Sequence, residues 1–119
     1  MDTIKTLVIE PLRRPELRDI DPSITAIGKT IGGYAEPLPL DRRTTLWCDE
    51  EGAIKNLKPN RTIRLSQDSR LADAGKPIII RGTFVITGPH PQDGPLGLDD
   101  EQIGRYAAMF ADPEAPCRL

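Results

Sequence analysis

"KPIIIRGTFVITG", residues 76 to 88, is the most apolar run in the chain. Ile78, Ile79 and Ile80 precede Phe84, Val85 and Ile86, and β-branched and aromatic residues at this density suit a pleated strand. Read as one unit, the run predicts a long central strand with a bulge at Gly82. A central strand needs partners, and four other stretches supply them. "TIKTLVIE" (3–10) alternates Ile4, Leu7 and Ile9 closely enough for an opening strand, and "ELRDI" (16–20) returns beside it. Pro11 and Pro15 bracket the turn between these two. "YAEPLPL" (34–40) is extended, and its prolines suit an edge strand or one with a bulge. "TTLWC" (44–48) is rich in β-formers, and "DEEG" (49–52) reads as the hairpin turn that follows it.

Two segments carry helical spacing instead. In "DPSITAIGKTIGG" (21–33), Asp21 can serve as N-cap, Pro22 suits the first helical position, and Ile24, Ile27 and Ile31 fall on one face. Gly32 or Gly33 can take positive φ and stop the helix. In "LDDEQIGRYAAMF" (98–110), Asp99 and Gln102 make a capping-box pattern, with Leu98 and Ile103 placed as a hydrophobic staple. Ile103, Tyr106, Ala107 and Phe110 form its buried stripe. Strands and helices are mixed without a βαβ repeat. The expected fold is therefore α+β: a single domain over residues 1–111 with a mostly antiparallel or mixed sheet of about five strands. Two helices pack on one face of that sheet, and residues 112–119 form a flexible or surface-lying tail.

Composition narrows the function classes. A chain of 119 residues fits one domain. Aromatics are only 4% of it, so the core must rest on Ile, Leu, Val and Ala. A net charge of −2 argues against a generally basic nucleic-acid binder. No window approaches the apolar length of a membrane span, and "MDTIKTLVIEP" does not read as a signal peptide. Cys48 and Cys117 lack framework spacing and read as free thiols in a reducing cytoplasm; a disulfide would require the tail to fold back to residues 44–48.

Gly28–Lys29–Thr30 imitates the end of a phosphate loop, but Ser23 stands where the first glycine belongs, and the residues lie inside a helical pattern. The acidic triplet Asp49, Glu50, Glu51 fits neither a calcium loop, where glycine would come sixth, nor a zinc site, which wants His or Cys partners. No metal site and no cofactor follow from the sequence. His90, in "GPHPQDG", is the sole histidine. Glu50, Glu51 and His90 are enzyme candidates by elimination only, and no catalytic set is assigned.

Charge is unevenly distributed. Residues 55 to 81 carry Lys55, Lys58, Arg61, Arg64, Arg70, Lys76 and Arg81 against Asp68 and Asp73, while the flanking segments are each net acidic. If these cations converged they could hold a phosphate, a nucleotide or an acidic partner, with Arg61 and Arg81 available for bidentate bonds. Aromatic residues for base stacking are missing from this segment.

The order Glu10–Pro11, Gly32–Gly33–Tyr34, Asp49–Glu50–Glu51–Gly52, Pro59–Asn60–Arg61, Gly82–Thr83 and Asp99–Asp100–Glu101–Gln102–Ile103 resembles a family of small domains of unknown function. That family is common in bacteriophages, other mobile elements and some bacteria. The resemblance spans roughly residues 5 to 110, and residues 64 to 76 look like an insertion relative to its pattern. It implies a cytoplasmic accessory protein and no particular reaction.

The reading that joins these observations is a non-catalytic binding protein that modulates a host protein or defence pathway by protein–protein contact. The alternative is a module that holds an anionic nucleotide or metabolite on residues 55–81. The candidate contact residues are Tyr34, expected to lie over the sheet, with Glu50, Glu51, Lys58, Asn60, Arg61, Arg64 and Arg81. A homo-oligomer such as a dimer is compatible with either reading; nucleic acid and membrane are not expected partners.

Overall fold

The structure, a computed structural model, describes residues 2–64, 75–92 and 94–113. Seven strands and two helices follow in the order β1 (Ile4–Ile9), β2 (Glu16–Ile20), α1 (Ile24–Ile31), β3 (Ala35–Asp41), β4 (Thr44–Asp49), β5 (Pro59–Arg64), β6 (Pro77–Arg81), β7 (Phe84–Thr87) and α2 (Asp100–Met109). Five strands form one antiparallel sheet in the order β2-β1-β7-β4-β3; β5 and β6 pair separately as an antiparallel hairpin. The fold is α+β and a single domain, as the sequence predicts.

The run from 77 to 87 behaves differently from the expectation. It is not one strand but two, in different sheets. Gly82 sits between them at φ +77°, a conformation that L side chains rarely adopt, and a Cβ there would come within 2.8 Å of the Leu57 side chain. The glycine turns the chain from the small hairpin into the centre of the large sheet rather than bulging a continuous strand. Its partner strand β5 was not expected at all. "PNRTIR" hides as a strand because Asn60 and Arg61 are buried polar residues where a sequence pattern looks for apolar ones.

β7 lies at the middle of the large sheet, and all four of its residues are buried. Side chains alternate across a strand, so it must feed two cores. Phe84 and Ile86 join Leu7, Ile9 and Leu46 in one cluster, which α2 closes with Tyr106 and Phe110 and the hairpin closes with Ile63 and Ile80. Val85 joins Val8, Trp47 and Ile20 in the other, which α1 closes with Ile27 and Ile31. The two helices therefore cover opposite faces of the sheet, which corrects the expectation of one face. Each fully buried aliphatic or aromatic side chain contributes about 1.5–3 kcal/mol. Trp47 also satisfies its one donor, Nε1–H, with Thr87 Oγ1 at 2.9 Å.

Local signals account for most element ends. α2 starts on the reciprocal bonds of a capping box: Asp99 Oδ1 accepts from Gln102 N at 2.8 Å, and Gln102 Oε1 accepts from Asp99 N at 2.9 Å. Leu98 is buried and Ile103 packs against the same cluster. α1 ends at Gly32, whose φ is +89°. Its N-cap, however, is Ser23 and not Asp21. The Ser23 hydroxyl accepts from Ala26 N at 3.1 Å, so Pro22 precedes the helix. Ile24 then falls off the buried stripe and is half exposed. β3 is the sheet edge, and Pro37 and Pro39 remove two backbone donors from it.

Because β7 separates two clusters, small deletions on its two sides should not communicate. Ile27→Val and Ile86→Val should each cost about 0.5–1.5 kcal/mol. In urea unfolding followed by Trp47 fluorescence, the double variant should equal the sum of the singles within about 0.5 kcal/mol. A larger coupling would show that one continuous core is being sampled.

Candidate functional site

The end of α1 meets the start of the 50–58 loop. Glu50 N donates to Tyr34 O at 2.9 Å, which ties that loop to the residue after the glycine pair. Within the loop, Gly52 N donates to Asp49 O, Lys55 N to Glu51 O and Leu57 N to Gly52 O, so the chain coils through successive turns. This corrects the hairpin reading of Asp49–Gly52: β4 and β5 belong to different sheets, and the loop carries the chain between them. The Asp49 side chain is only 1% exposed. Its Oδ1 accepts from Glu51 N at 2.8 Å and its Oδ2 from Lys55 Nζ at 2.9 Å. Burial alone would raise the Asp49 pKa, but the Lys55 and Glu51 hydrogen bonds and the Lys55 charge outweigh it and hold it low. A Cβ on Gly33 would lie 2.3 Å from Asp49 Oδ2 and 2.8 Å from Lys55 Nζ. Any side chain at 33 would have to displace this ion pair.

Tyr34 projects from this junction and is 74% exposed, rather than lying over the sheet. Beside it runs a groove of about 420 Å³, lined by Ile24, Thr25, Lys29, Gly32 and Tyr34 among others. The loop that touches Gly33 also exposes Ile54. Glu50 is exposed and Glu51 half-buried on the same loop. The structure thus brings Tyr34 next to the loop that carries Glu50 and Glu51, and adds Ile24 and Lys29 at the groove. Ile24 was hidden by its placement on the helix stripe; only the true cap at Ser23 reveals that it faces out.

The remaining candidates go elsewhere. Arg61 is 2% exposed and its guanidinium serves the fold. Its Nη1 donates to Asn60 Oδ1 at 2.7 Å, and its Nη2 donates to Arg13 O at 2.7 Å and Phe110 O at 2.8 Å. Asn60 Nδ2 donates to Ile9 O and Gly82 O, each at 2.8 Å. Arg64 donates to Gly75 O, and Arg81 to Leu57 O at 3.2 Å. Lys58 and Lys76 are exposed. The described cations of residues 55 to 81 are therefore distributed, some into ion pairs and backbone bonds, some into solvent. Arg70 and Cys117 lie outside the described residues, as do most of the insertion-like segment and most of the tail.

Among the described residues, His90, Cys48 and the acids of the 50–58 loop lie apart. His90 packs its ring on Trp47 in an edge-to-face contact with centroids 4.9 Å apart, and no hydrogen bond joins it to Glu50 or Glu51. Cys48 is buried; burial first, then the Glu36 and Asp49 charges, push its thiol up to about 12, so it stays protonated and a poor nucleophile at neutral pH. Among the described residues, no three His, Cys, Asp or Glu side chains gather as a metal site would require, and no helix is long and apolar enough to cross a membrane.

A second concavity of about 290 Å³ lies between the β3–β4 turn and α2. Tyr106, fully buried, donates its hydroxyl to the Asp41 carboxylate, and Gln102 Nε2 donates to Arg43 O at 2.7 Å and Thr44 Oγ1 at 3.0 Å. Burial, then the Asp41 hydrogen bond and charge, push the Tyr106 hydroxyl up to about 12. Sequence reading missed this place because Tyr106 registers only as a core residue, and the Arg42–Arg43 pair belongs to no motif.

With these arrangements in view, comparison with known proteins gives one match. Residues 4–111 match the family model described as domain of unknown function DUF3846. The chain belongs to the DUF3846 family. No curated protein and no solved structure matches it. The DUF3846 match runs from the first residue of β1 to just beyond α2, and so takes in both cores, the Tyr34 junction and the Asn60–Arg61 pair.

The Asp49–Lys55 pair predicts an acid-side signature. Asp49 titrates below its ordinary 3.8 when folded. Its contribution to stability is therefore present above the unfolded pKa and is lost as pH falls through the depressed folded value. Asp49→Asn should lower stability at pH 7 and flatten the fall in stability below about pH 4, where the unfolded carboxyl takes up its proton. Denaturant unfolding between neutral and acid pH checks this. Parallel acid limbs for the two proteins would contradict it.

Proposed function

We propose that this DUF3846 domain is a non-catalytic binding protein that engages a protein partner through the Tyr34 face. The observation that carries this reading is a large aromatic side chain held 74% exposed on a backbone fixed from both sides. Its carbonyl is bonded to Glu50, and the preceding glycine is packed against the Asp49–Lys55 pair. A monomer gains nothing by presenting Tyr34, Ile24 and Ile54 to water, whereas an interface uses pre-ordered aromatics as anchors. Glu50, Glu51 and Lys29 supply a polar rim to the apolar centre, the usual arrangement at a protein contact. The glycine pair, Tyr34 and the acidic triplet, three of the landmarks that carry the family resemblance, converge here.

In the bacteriophage or mobile-element setting that the resemblance implies, the partner is a host protein, and the consequence of binding is modulation of host machinery or defence in the cytoplasm. The alternative, an anionic ligand on residues 55–81, has less support. Lys55 is engaged by Asp49, Arg61 by backbone carbonyls and Arg81 by Leu57 O.

The test uses the immobilised full chain and a host lysate, followed by affinity measurement on any recovered protein. Tyr34→Ala should weaken binding by about 2 kcal/mol or more, roughly thirtyfold, without lowering the melting temperature. Leu17→Ala, which removes an exposed apolar side chain from the opposite sheet edge, should leave binding intact. Recovery that is indifferent to Tyr34→Ala, or equally sensitive to both variants, would overturn the assignment.

A further inference from the structure

The concavity between the β3–β4 turn and α2 has features that the fold alone does not call for. β3 and β4 are joined by a two-residue turn, Arg42–Arg43, between the paired residues Asp41 and Thr44. Two-residue turns favour Asn, Asp or Gly because their common forms need positive φ. Here neither arginine has positive φ, and a register shift between Pro39 and Asp41 accommodates the turn instead. Turn geometry therefore does not select arginine at either position.

Arg105 enters from α2, one turn after Glu101. Its guanidinium carbon lies 5.4 Å from the centroid of the Tyr106 ring, a cation–π contact that orients the group while leaving its N–H donors unused. Arg42 and Arg105 make no hydrogen bond or ion pair with any described residue, whereas Arg43 is paired with Asp99. The floor is fixed: Tyr106 is bonded to Asp41, and Gln102 is bonded to Arg43 O and Thr44 Oγ1. Asp41, which also lines the cleft, accepts from the Tyr106 hydroxyl and from Arg43 N at 2.7 Å. Burial alone would raise its pKa, but these bonds, helped by the Arg105 charge, hold its carboxyl below the ordinary value. Glu101 is the second acid of the lining and has no hydrogen bond or ion pair with a described residue. Two guanidiniums with no hydrogen-bond acceptor among the described residues thus flank a small cleft of about 290 Å³, whose lining residues are all polar or charged except for the ring of Tyr106.

We propose that this cleft binds the phosphate group of a small phosphomonoester, held between Arg42 and Arg105. Planar guanidiniums match phosphate oxygens bidentately, and two of them offset the charge of a dianion. The size admits a phosphate with a small organic body and not an extended polymer. This site is separate from the Tyr34 face. The two lie at opposite ends of β3, about 20 Å apart at the rise of a strand, so either assignment can fail without the other.

The experiment titrates the full chain, at constant ionic strength, with inorganic phosphate and with AMP, following backbone amides by nuclear magnetic resonance. Saturable shifts are expected at Thr44, Gln102 and Arg105 with both probes, and none at Tyr34. Arg42→Gln and Arg105→Gln should each weaken binding about tenfold or more, since each removes charge-assisted bonds. Glu101→Gln should tighten it by removing a like charge, a gain that damage to the fold would not produce. Absence of saturable shifts up to about 10 mM, beyond the millimolar limit of weak binding, would overturn the proposal. So would midpoints that all three substitutions leave unchanged.

Discussion

A buried guanidinium and its neighbouring amide hold the two sheets of this protein in register. A two-stranded hairpin such as β5–β6 is at best marginally stable alone in water. It is seated on the large sheet by Ile63 and Ile80, and it is locked by Asn60 and Arg61. Asn60 reaches the carbonyl of Ile9 at the end of β1 and that of Gly82 where the chain crosses between sheets. Arg61 reaches the carbonyl of Arg13 in the β1–β2 turn and that of Phe110 at the end of α2. Four separate pieces of chain converge on two adjacent side chains. Apolar packing is non-directional and would tolerate several placements of the hairpin; these bonds permit one.

That lock positions the functional surfaces at a distance. The 50–58 loop must run from β4 in one sheet to β5 in the other. Its path is fixed at one end by Asp49 and Tyr34 and at the other by the seated hairpin. The loop's contact with Gly33 then holds Tyr34 in an exposed, ordered position. On the opposite face, α2 is pinned at its start by the Asp99–Gln102 box and at its end by Arg61. Tyr106 and Arg105 are thereby placed beside the β3–β4 turn. Both proposed sites borrow their order from polar contacts at the ends of elements rather than from their own residues.

How far the sequence reveals this depends on the kind of contact. The β1–β2 hairpin, the β3 edge, the α2 cap and the α1 stop are local features, set by Pro11 and Pro15, by Pro37 and Pro39, by Asp99 with Gln102 and by Gly32. Each can be read within a few residues. The helix start is also local, yet Asp21 and Ser23 are both capping residues two positions apart, and it is Ser23 that accepts from Ala26 N. β5 escapes because its inward-facing Asn60 and Arg61 look like loop or surface residues, and their partners lie 22 to 51 residues away or in the next residue. The two-faced sheet was within reach: an unbroken apolar run such as Phe84–Ile86 is what a strand buried on both sides requires. Tyr34 was named from the sequence, but Ile24 beside it and the exposed Ile54 on the 50–58 loop could be found only once the folded chain showed which apolar residues the core leaves out.

The most direct measurement of the account is the equilibrium stability of Arg61→Met, which keeps the length and most of the volume of the side chain but not its donors. Removal of the donor should cost about 1–3 kcal/mol or more, because Asn60 Oδ1, Arg13 O and Phe110 O lose charge-assisted hydrogen bonds and are left unpaired. Arg64→Gln in the same strand, where the side chain is exposed, should stay within about 0.5 kcal/mol of the parent. An Arg61→Met protein as stable as the parent would show that packing alone seats the hairpin and would remove the central constraint.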